Sequence, residues 1–475
     1  MSLGKKRIRF YGSLTSKYIK AVSDGGILSW TPEDKNENVE PTTFTPQMSG
    51  SEMVIPLGYW SNPVIHKHPK ISYDSINMIP DSRSNNYNEI TLRDYQKGPY
   101  ACITQTIDKK MDEERPCFLR LVMPCGFGKT IFAVKLIQDY SIKTAIVLWC
   151  SSLLGQWYES LRFAGIADDD IGIGHGSIPN SIDMIKNQYP DVVLLTVAHF
   201  QRADCRRLVQ SRYDMVFIDE SHKYNLNNLN NLKRWLHFYP IPFTFFLTAT
   251  PRKINSFYCN DTLSFSKDNK ICKKFKILTA MTNRISENTS SLYSNYSAPR
   301  DNFKVTQGVI LEKDEFRQDF IIKTIADYYR EELFSCGIVL TKSRTVMRNL
   351  YSKLKDMFPD EVFVADAQKA KDTRGLLMDL KRSQSFILIS TLQYAGTGLD
   401  LPNLDAIFFS TISLSASDIT QSAGRVCRYN PDKPFRSAIL FNVTSIVPWI
   451  STVKTGVNNI SKTLLALDWV EDITK

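Results

Sequence analysis

Residues 123–130, MPCGFGKT, have the types and spacing that hold nucleotide phosphates. Gly126 and Gly128 let successive backbone N–H groups curl around a phosphate, Lys129 can reach the β- and γ-phosphates, and the Thr130 hydroxyl can sit on Mg²⁺. Pro124, Cys125 and Phe127 complete the loop. The helical pattern over 131–139 would add its positive N-terminal end to the same site. The competing reading is an ordinary strand-to-helix turn that happens to end in Lys-Thr, so the other motifs must decide.

Asp219-Glu220-Ser221-His222 closes the apolar run 215–218. A carboxylate at a strand tip beside a phosphate loop can hold Mg²⁺, and its neighbour can orient an attacking water as general base. Those roles fall to Asp219 and Glu220, with His222 in the same cluster. Taken alone, an acidic pair could equally cap a strand end or start a helix. In Gln421-Ser-Ala-Gly-Arg-Val-Cys-Arg428 the spacing puts Arg425 and Arg428 on one helical face. Planar, always charged guanidinium groups stabilise charge spreading over a transferring phosphoryl group. Arg428 is the expected arginine finger; two surface arginines on an exposed helix are the alternative.

These groups need a scaffold, and the pattern around them supplies one. From about Glu89, short apolar runs at 117–122, 144–150, 192–197, 215–218 and 243–247 alternate with helical stretches, as buried parallel strands with crossover helices do. Four runs end directly in MPCGFGKT, CSSLLGQW, DESH and TATP. Ligands of open α/β sheets bind beyond the carboxyl ends of the strands, so the four clusters should converge in one crevice. A second series, 336–340, 362–365, 386–389, 406–409 and 438–441, follows a helix candidate at 312–334. The expected fold is α/β, with two lobes in tandem. Expected boundaries are an accessory, strand-containing module at 1–88, a first lobe at 89–253, a connector or insertion at 254–310, a second lobe at 311–448 and a helical tail at 449–475.

A chain of 475 residues exceeds one ordinary core, and 43% hydrophobic residues is a globular composition. Nine cysteines are scattered singly, with no pair at metal-ligand spacing, which fits a reducing, intracellular setting. No apolar stretch reaches the length of a membrane span, and no secretory signal follows the basic start, so a soluble protein is expected. The net charge of +10 points to a polyanionic partner, nucleic acid before others. Lys5, Lys6, Arg7, Arg9, Lys17 and Lys20 all precede the first acidic residue, Asp24. They form either a solvated tail or a phosphate-tracking one.

The chain resembles the superfamily 2 helicases and translocases of the DEAH/DExH type, whose lobes are RecA-like. Leu92-Arg-Asp-Tyr-Gln96 resembles the motif in which a glutamine reads adenine, which assigns Gln96, with Arg93 beside it, to the base. Thr248-Ala-Thr-Pro-Arg252 resembles the motif coupling hydrolysis to lobe movement, carried here by Thr248, Ala249 and Thr250. The motif 421–428 would supply Gln421, Arg425 and Arg428 from the second lobe to the γ-phosphate. By the same resemblance, nucleic acid is contacted by Ser151, Ser152, Gln156 and Thr196 on the first lobe and by Thr341, Lys342 and Thr391 on the second. The stretch 389–400 resembles the motif that touches both strand and nucleotide, which would place Gly396, Gly398 and Asp400 near the ATP ribose. ATP and Mg²⁺ are the implied cofactors. Met123 replaces the usual small residue at the head of the loop, and Cys150-Ser151 replaces a usual proline-containing sequence. Neither change removes a reacting group.

The motif order LRDYQ, PCGFGKT, DESH, LTATPR, STLQYAGTGLD, QSAGRVCR is most similar to that of the poxvirus transcript-release helicases. That narrower resemblance implies a DNA-dependent ATPase translocating 3′ to 5′, a viral RNA polymerase elongation complex with termination factors as partner, and location in virion and host cytoplasm. A DEAH-type RNA helicase and an ATP-gated nucleic-acid clamp remain the alternatives. Nothing in the chain requires more than a monomer.

Overall fold

The computed structural model describes residues 29–30, 42–43, 47–49, 52–54, 73, 76–176, 181–200, 202–223, 241–251, 261–265, 273–282, 311–366, 370–392, 394–395, 399, 401–426, 435–443, 450–467 and 470–472. The chain divides into two units, Met1–Phe265 and Ser266–Lys475. Two short antiparallel ladders lie in the N-terminal module: β1 (Ser29–Trp30) with β2 (Thr42–Thr43), and β3 (Gln47–Ser49) with β4 (Glu52–Val54).

The sheet of the first unit comprises β5 (Cys117–Val122), β6 (Thr144–Leu148), β7 (Ile171–Gly174), β8 (Val192–Thr196), β9 (Met215–Ile218), β10 (Phe243–Thr248) and β11 (Asp261–Ser264). Every pairing is parallel, in the order β11-β5-β10-β9-β6-β8-β7. Period-two alternation buries both faces: Cys117, Leu119 and Leu121 of β5 join one core, while Phe118 joins the other. In β6, Ile146 and Leu148 face the first core, Ala145 and Val147 the second. The four strands that end in motifs, β5, β10, β9 and β6, are consecutive in the sheet. Their carboxyl ends therefore share one edge.

Residues 76–88, which the sequence reading assigned to the accessory module, pack on the opposite edge, where strands begin. The Asn77 backbone N–H and side-chain amide both donate to Asp214 Oδ2, at 2.6 and 2.7 Å. Lys143 N–H donates to the Asn77 carbonyl at 2.9 Å. Arg83 pairs with Asp170 at 2.7 Å and with the fully buried Asp191 at 3.1 Å, and Lys143 meets Asp191 at 2.8 Å. Strand β7 had no strong periodic signal because its sequence is IGIG. A Cβ at Gly172 would lie 2.7 Å from the Pro190 ring, so close packing demands glycine there.

In the second unit β12 (Lys273–Thr282), β13 (Cys336–Thr341), β14 (Val362–Ala365), β15 (Phe386–Thr391), β16 (Ala406–Phe409), β17 (Phe435–Val443) and β18 (Val470–Asp472) form a second parallel sheet. Its order is β14-β15-β13-β16-β17-β12-β18. The stretch 254–310, expected as a connector, contains β11 of the first sheet and β12 of the second. The tail holds the expected helix, Ile450–Leu465, whose Val453, Val457, Ile460 and Leu464 enter the core. It ends in a strand as well, since β18 pairs with β12. Among the described residues no helix is long and apolar enough to cross a membrane. The fold is thus the expected pair of α/β lobes.

Candidate active site

The loop after β5 turns through Gly126 (φ 73°) and Gly128 (φ 107°) into the helix Lys129–Tyr140. A Cβ at Gly128 would collide with the Gln96 amide, so that position is restricted twice, by φ and by space. Gln96 is buried, and its Nε2 donates to the Phe127 carbonyl at 2.8 Å while its Oε1 accepts the Arg93 N–H at 3.0 Å. The glutamine expected at the adenine edge therefore pins the phosphate loop to the start of helix Asp94–Asp112. One further N–H and one further lone pair remain on its amide. Arg93 is exposed and reaches toward the Tyr95 hydroxyl. Phe127 is core: its ring meets Tyr95 edge-on at 5.4 Å and Phe132 at 5.8 Å, and its N–H bonds the Pro124 carbonyl. Pro124, Cys125 and Thr130 are half-buried.

Met123 is fully buried and donates its N–H to the Thr248 carbonyl at 2.9 Å, while the Lys129 ammonium lies 3.4 Å from the Met123 carbonyl. This methionine is a core residue of the sheet edge, and loop geometry is independent of its side chain. Thr248 ends β10, and its hydroxyl is 3.1 Å from His222 Nδ1 and accepts the Thr250 N–H at 3.1 Å. Ala249 and Thr250 are half-buried, and the Thr250 hydroxyl has no hydrogen-bond partner among the described residues.

Asp219 and Glu220 follow β9. The Asp219 carboxylate accepts the Glu220 N–H on Oδ1 and the Trp157 indole N–H on Oδ2, each at 2.9 Å. Burial and the adjacent Glu220 carboxylate push its pKa up to about 6, opposed by the indole bond and by the Lys129 charge. Glu220 adopts φ 49°, left-handed for a non-glycine residue, a strain found where a side chain must be aimed. Its Oε2 lies 3.3 Å from His222 Nδ1. Among the described residues Oε2 is buried without a hydrogen-bond donor, while His222 Nδ1 bonds the Thr248 hydroxyl. The clusters MPCGFGKT, CSSLLGQW, DESH and TATP thus meet at one edge, as expected.

Thr130 and Asp219 offer an all-oxygen donor set, which suits Mg²⁺. Each Asp219 oxygen already takes one N–H, leaving a lone pair on each. Among the described residues no group of three His, Cys, Asp or Glu forms a competing metal site.

Of the expected nucleic-acid contacts, Ser151 is exposed at the N-cap of helix Ser152–Phe163, and Ser152 is its first residue. Gln156 is half-buried with Oε1 unpaired, and Thr196 is buried at the end of β8. In the second unit Thr341 ends β13 with its hydroxyl on the Ser343 carbonyl, Lys342 donates to the Ser413 carbonyl at 2.9 Å, and Thr391 ends β15. Gln421 is buried in helix Ala416–Val426, and Arg425 on that helix donates to the Leu399 carbonyl at 3.0 Å. The motif around 389–400 is thereby tied to the arginine motif. Arg428, Gly396, Gly398 and Asp400 lie outside the described residues. Two contributors carried no sequence assignment. Trp157 sat unassigned inside CSSLLGQW, and Tyr95 inside LRDYQ; the signal available was an aromatic within each motif.

Comparison with known proteins agrees with this geometry. The family described as type III restriction enzyme, res subunit, matches residues 89–253, and the helicase conserved C-terminal domain matches 320–430. The two matches mark the chain as a helicase. It is similar to the transcript termination protein OPG145 of vaccinia virus (strain Copenhagen), at 28% identity over 472 residues, covering 98% of this helicase and 91% of the relative. Its fold matches the DNA-bound ATP-dependent type ISP restriction-modification enzyme LlaBIII with a TM-score of 0.58 at 15% identity, covering 79% of this chain and 30% of that one. Mss116p bound to single-stranded RNA and AMP-PNP gives a TM-score of 0.52 at 14% identity, covering 77% of each chain. The helicase is an ATP-hydrolysing enzyme, and members of its superfamily use a nucleotide with Mg²⁺.

Proposed function

We propose that this helicase is a DNA-stimulated ATPase that translocates 3′ to 5′ along sequence-independent DNA and releases nascent transcripts from a stalled RNA polymerase. The observation that supports it most is the bonded knot at the sheet edge, in which Met123, Thr248, His222, Trp157 and Asp219 link four motif-bearing strand ends. The transcript-release part rests on similarity over nearly the whole chain to a protein named for transcript termination.

In this reading Lys129 holds the β- and γ-phosphates, and Thr130 with Asp219 holds Mg²⁺, which when bound neutralises phosphate charge. Glu220 Oε2, buried and without a donor among the described residues, accepts the proton of the attacking water. His222 keeps Thr248 in register, so that motion of the 248–250 segment follows the state of the nucleotide. Gln421, Arg425 and Arg428 are the groups assigned to the charge of the transferring phosphoryl group. Ser151, Ser152, Gln156, Thr196, Thr341, Lys342 and Thr391 contact the sugar-phosphate backbone, which carries no sequence information. ATP turnover measured with single-stranded DNA and with RNA tests the assignment. DNA stimulation is expected; stimulation by RNA alone would sink it.

A further inference from the structure

Helix Ser152–Phe163 faces two ways. Its first turn carries Ser151 and Ser152, assigned above to the nucleic-acid backbone, and its body packs against the helix Lys129–Tyr140 that leaves the phosphate loop. From its second turn Trp157, completely buried and among the largest side chains of the core, sends its only donor into the site, 2.9 Å from Asp219 Oδ2. Leu153, Leu154 and Leu161 already supply the helix with apolar anchors in the same core. The volume of an indole could be filled by another aromatic, but Phe has no donor. Gln156, one residue earlier, keeps a buried Oε1 without a partner among the described residues.

We propose that Trp157 is the positioning residue through which nucleic acid at the start of this helix controls the carboxylate of Asp219. A shift of the helix moves the indole N–H, which holds Asp219 Oδ2 while the Glu220 N–H holds Oδ1, so the carboxylate is set by two donors of which only the indole belongs to the helix. Asp219 then meets a nucleotide-bound cation in the geometry set by the helix. This rests on the nucleic-acid reading of Ser151 and Ser152.

Three full-length proteins test it: the natural chain, Trp157→Phe, and a chain carrying 3-benzothienylalanine at 157, whose sulfur replaces the indole N–H with nearly unchanged shape. The readout is binding, not turnover: affinity for Mg²⁺ with fluorescent mant-ADP, with and without single-stranded DNA, alongside DNA affinity by anisotropy and the thermal midpoint. In the natural chain DNA should change Mg·mant-ADP affinity by about 5- to 150-fold, and in both replacements that factor should fall to within about twofold of one. DNA affinity and Mg²⁺-free nucleotide affinity should stay close to natural. Natural coupling in the benzothienylalanine protein would overturn the proposal, whatever Trp157→Phe does to folding. A natural chain without any DNA linkage would overturn the nucleic-acid-stimulated reading itself, and the role of Trp157 with it.

Discussion

Replacing Gln96 by Met keeps the volume of the side chain and removes both ends of its amide. The Phe127 carbonyl, accepting at 2.8 Å in a buried position, loses its donor, and the Arg93 N–H at the helix start loses an acceptor at 3.0 Å. Two hydrogen bonds at a net ~1 kcal/mol each, with the added desolvation cost of a buried carbonyl left unpaired, come to roughly 2–4 kcal/mol. For a unit of this size that lowers the thermal midpoint by roughly 4–16 °C. The loop it pins is the phosphate loop, so nucleotide affinity should fall as well, and by the same factor for ATP and GTP. Thermal unfolding and parallel titrations with the two nucleotides check this. A loss confined to ATP, with an unchanged midpoint, would refute the pinning role and leave Gln96 only the base-reading role that its motif implies.

Other expectations follow from the same site. Lys129→Ala and Glu220→Gln should each abolish hydrolysis, but Glu220→Gln should still bind nucleotide, because only the water-orienting oxygen is altered; normal turnover in either would remove these assignments. Asp219 is held near 6, above an ordinary carboxylate, so the folded chain retains a proton that the unfolded one releases. Its stabilising effect is complete below the unfolded pKa and is lost as pH rises through the folded one. Unfolding midpoints of Asp219→Asn should therefore lack part of the decline that the natural chain shows between about pH 4 and 6. Asp214→Ala should leave the Asn77 N–H unpaired and cost about 1–3 kcal/mol, read as a lower denaturant midpoint without change in the slope. An unaffected midpoint would show that residues 76–88 contribute little to the first unit.

How legible the molecule was in its sequence differs from one element to the next. Runs such as MVFI at 215–218 and AIFF at 406–409 became strands with those bounds, because an uninterrupted short apolar run bounded by polar residues has few other stable fates. IGIG, the edge strand β11, the interior strand β12 and the terminal β18 were not read as strands. Glycines carry no periodicity, and β11 and β12 are held by partners far along the chain, β5 and β17.

The sequence by itself pointed to the candidate reacting groups and their order, since Gly126, Gly128, Lys129, Asp219 and Glu220 sit in spacings that suit a phosphate site. Local chemistry is written locally. What those groups touch was decided by the tertiary structure: Gln96 on the phosphate loop, Trp157 on Asp219, His222 on Thr248. Each of these contacts spans 26 or more residues of chain. Parallel strand order, β5-β10-β9-β6, creates them by bringing distant strand ends to one edge, and no window of sequence contains that order.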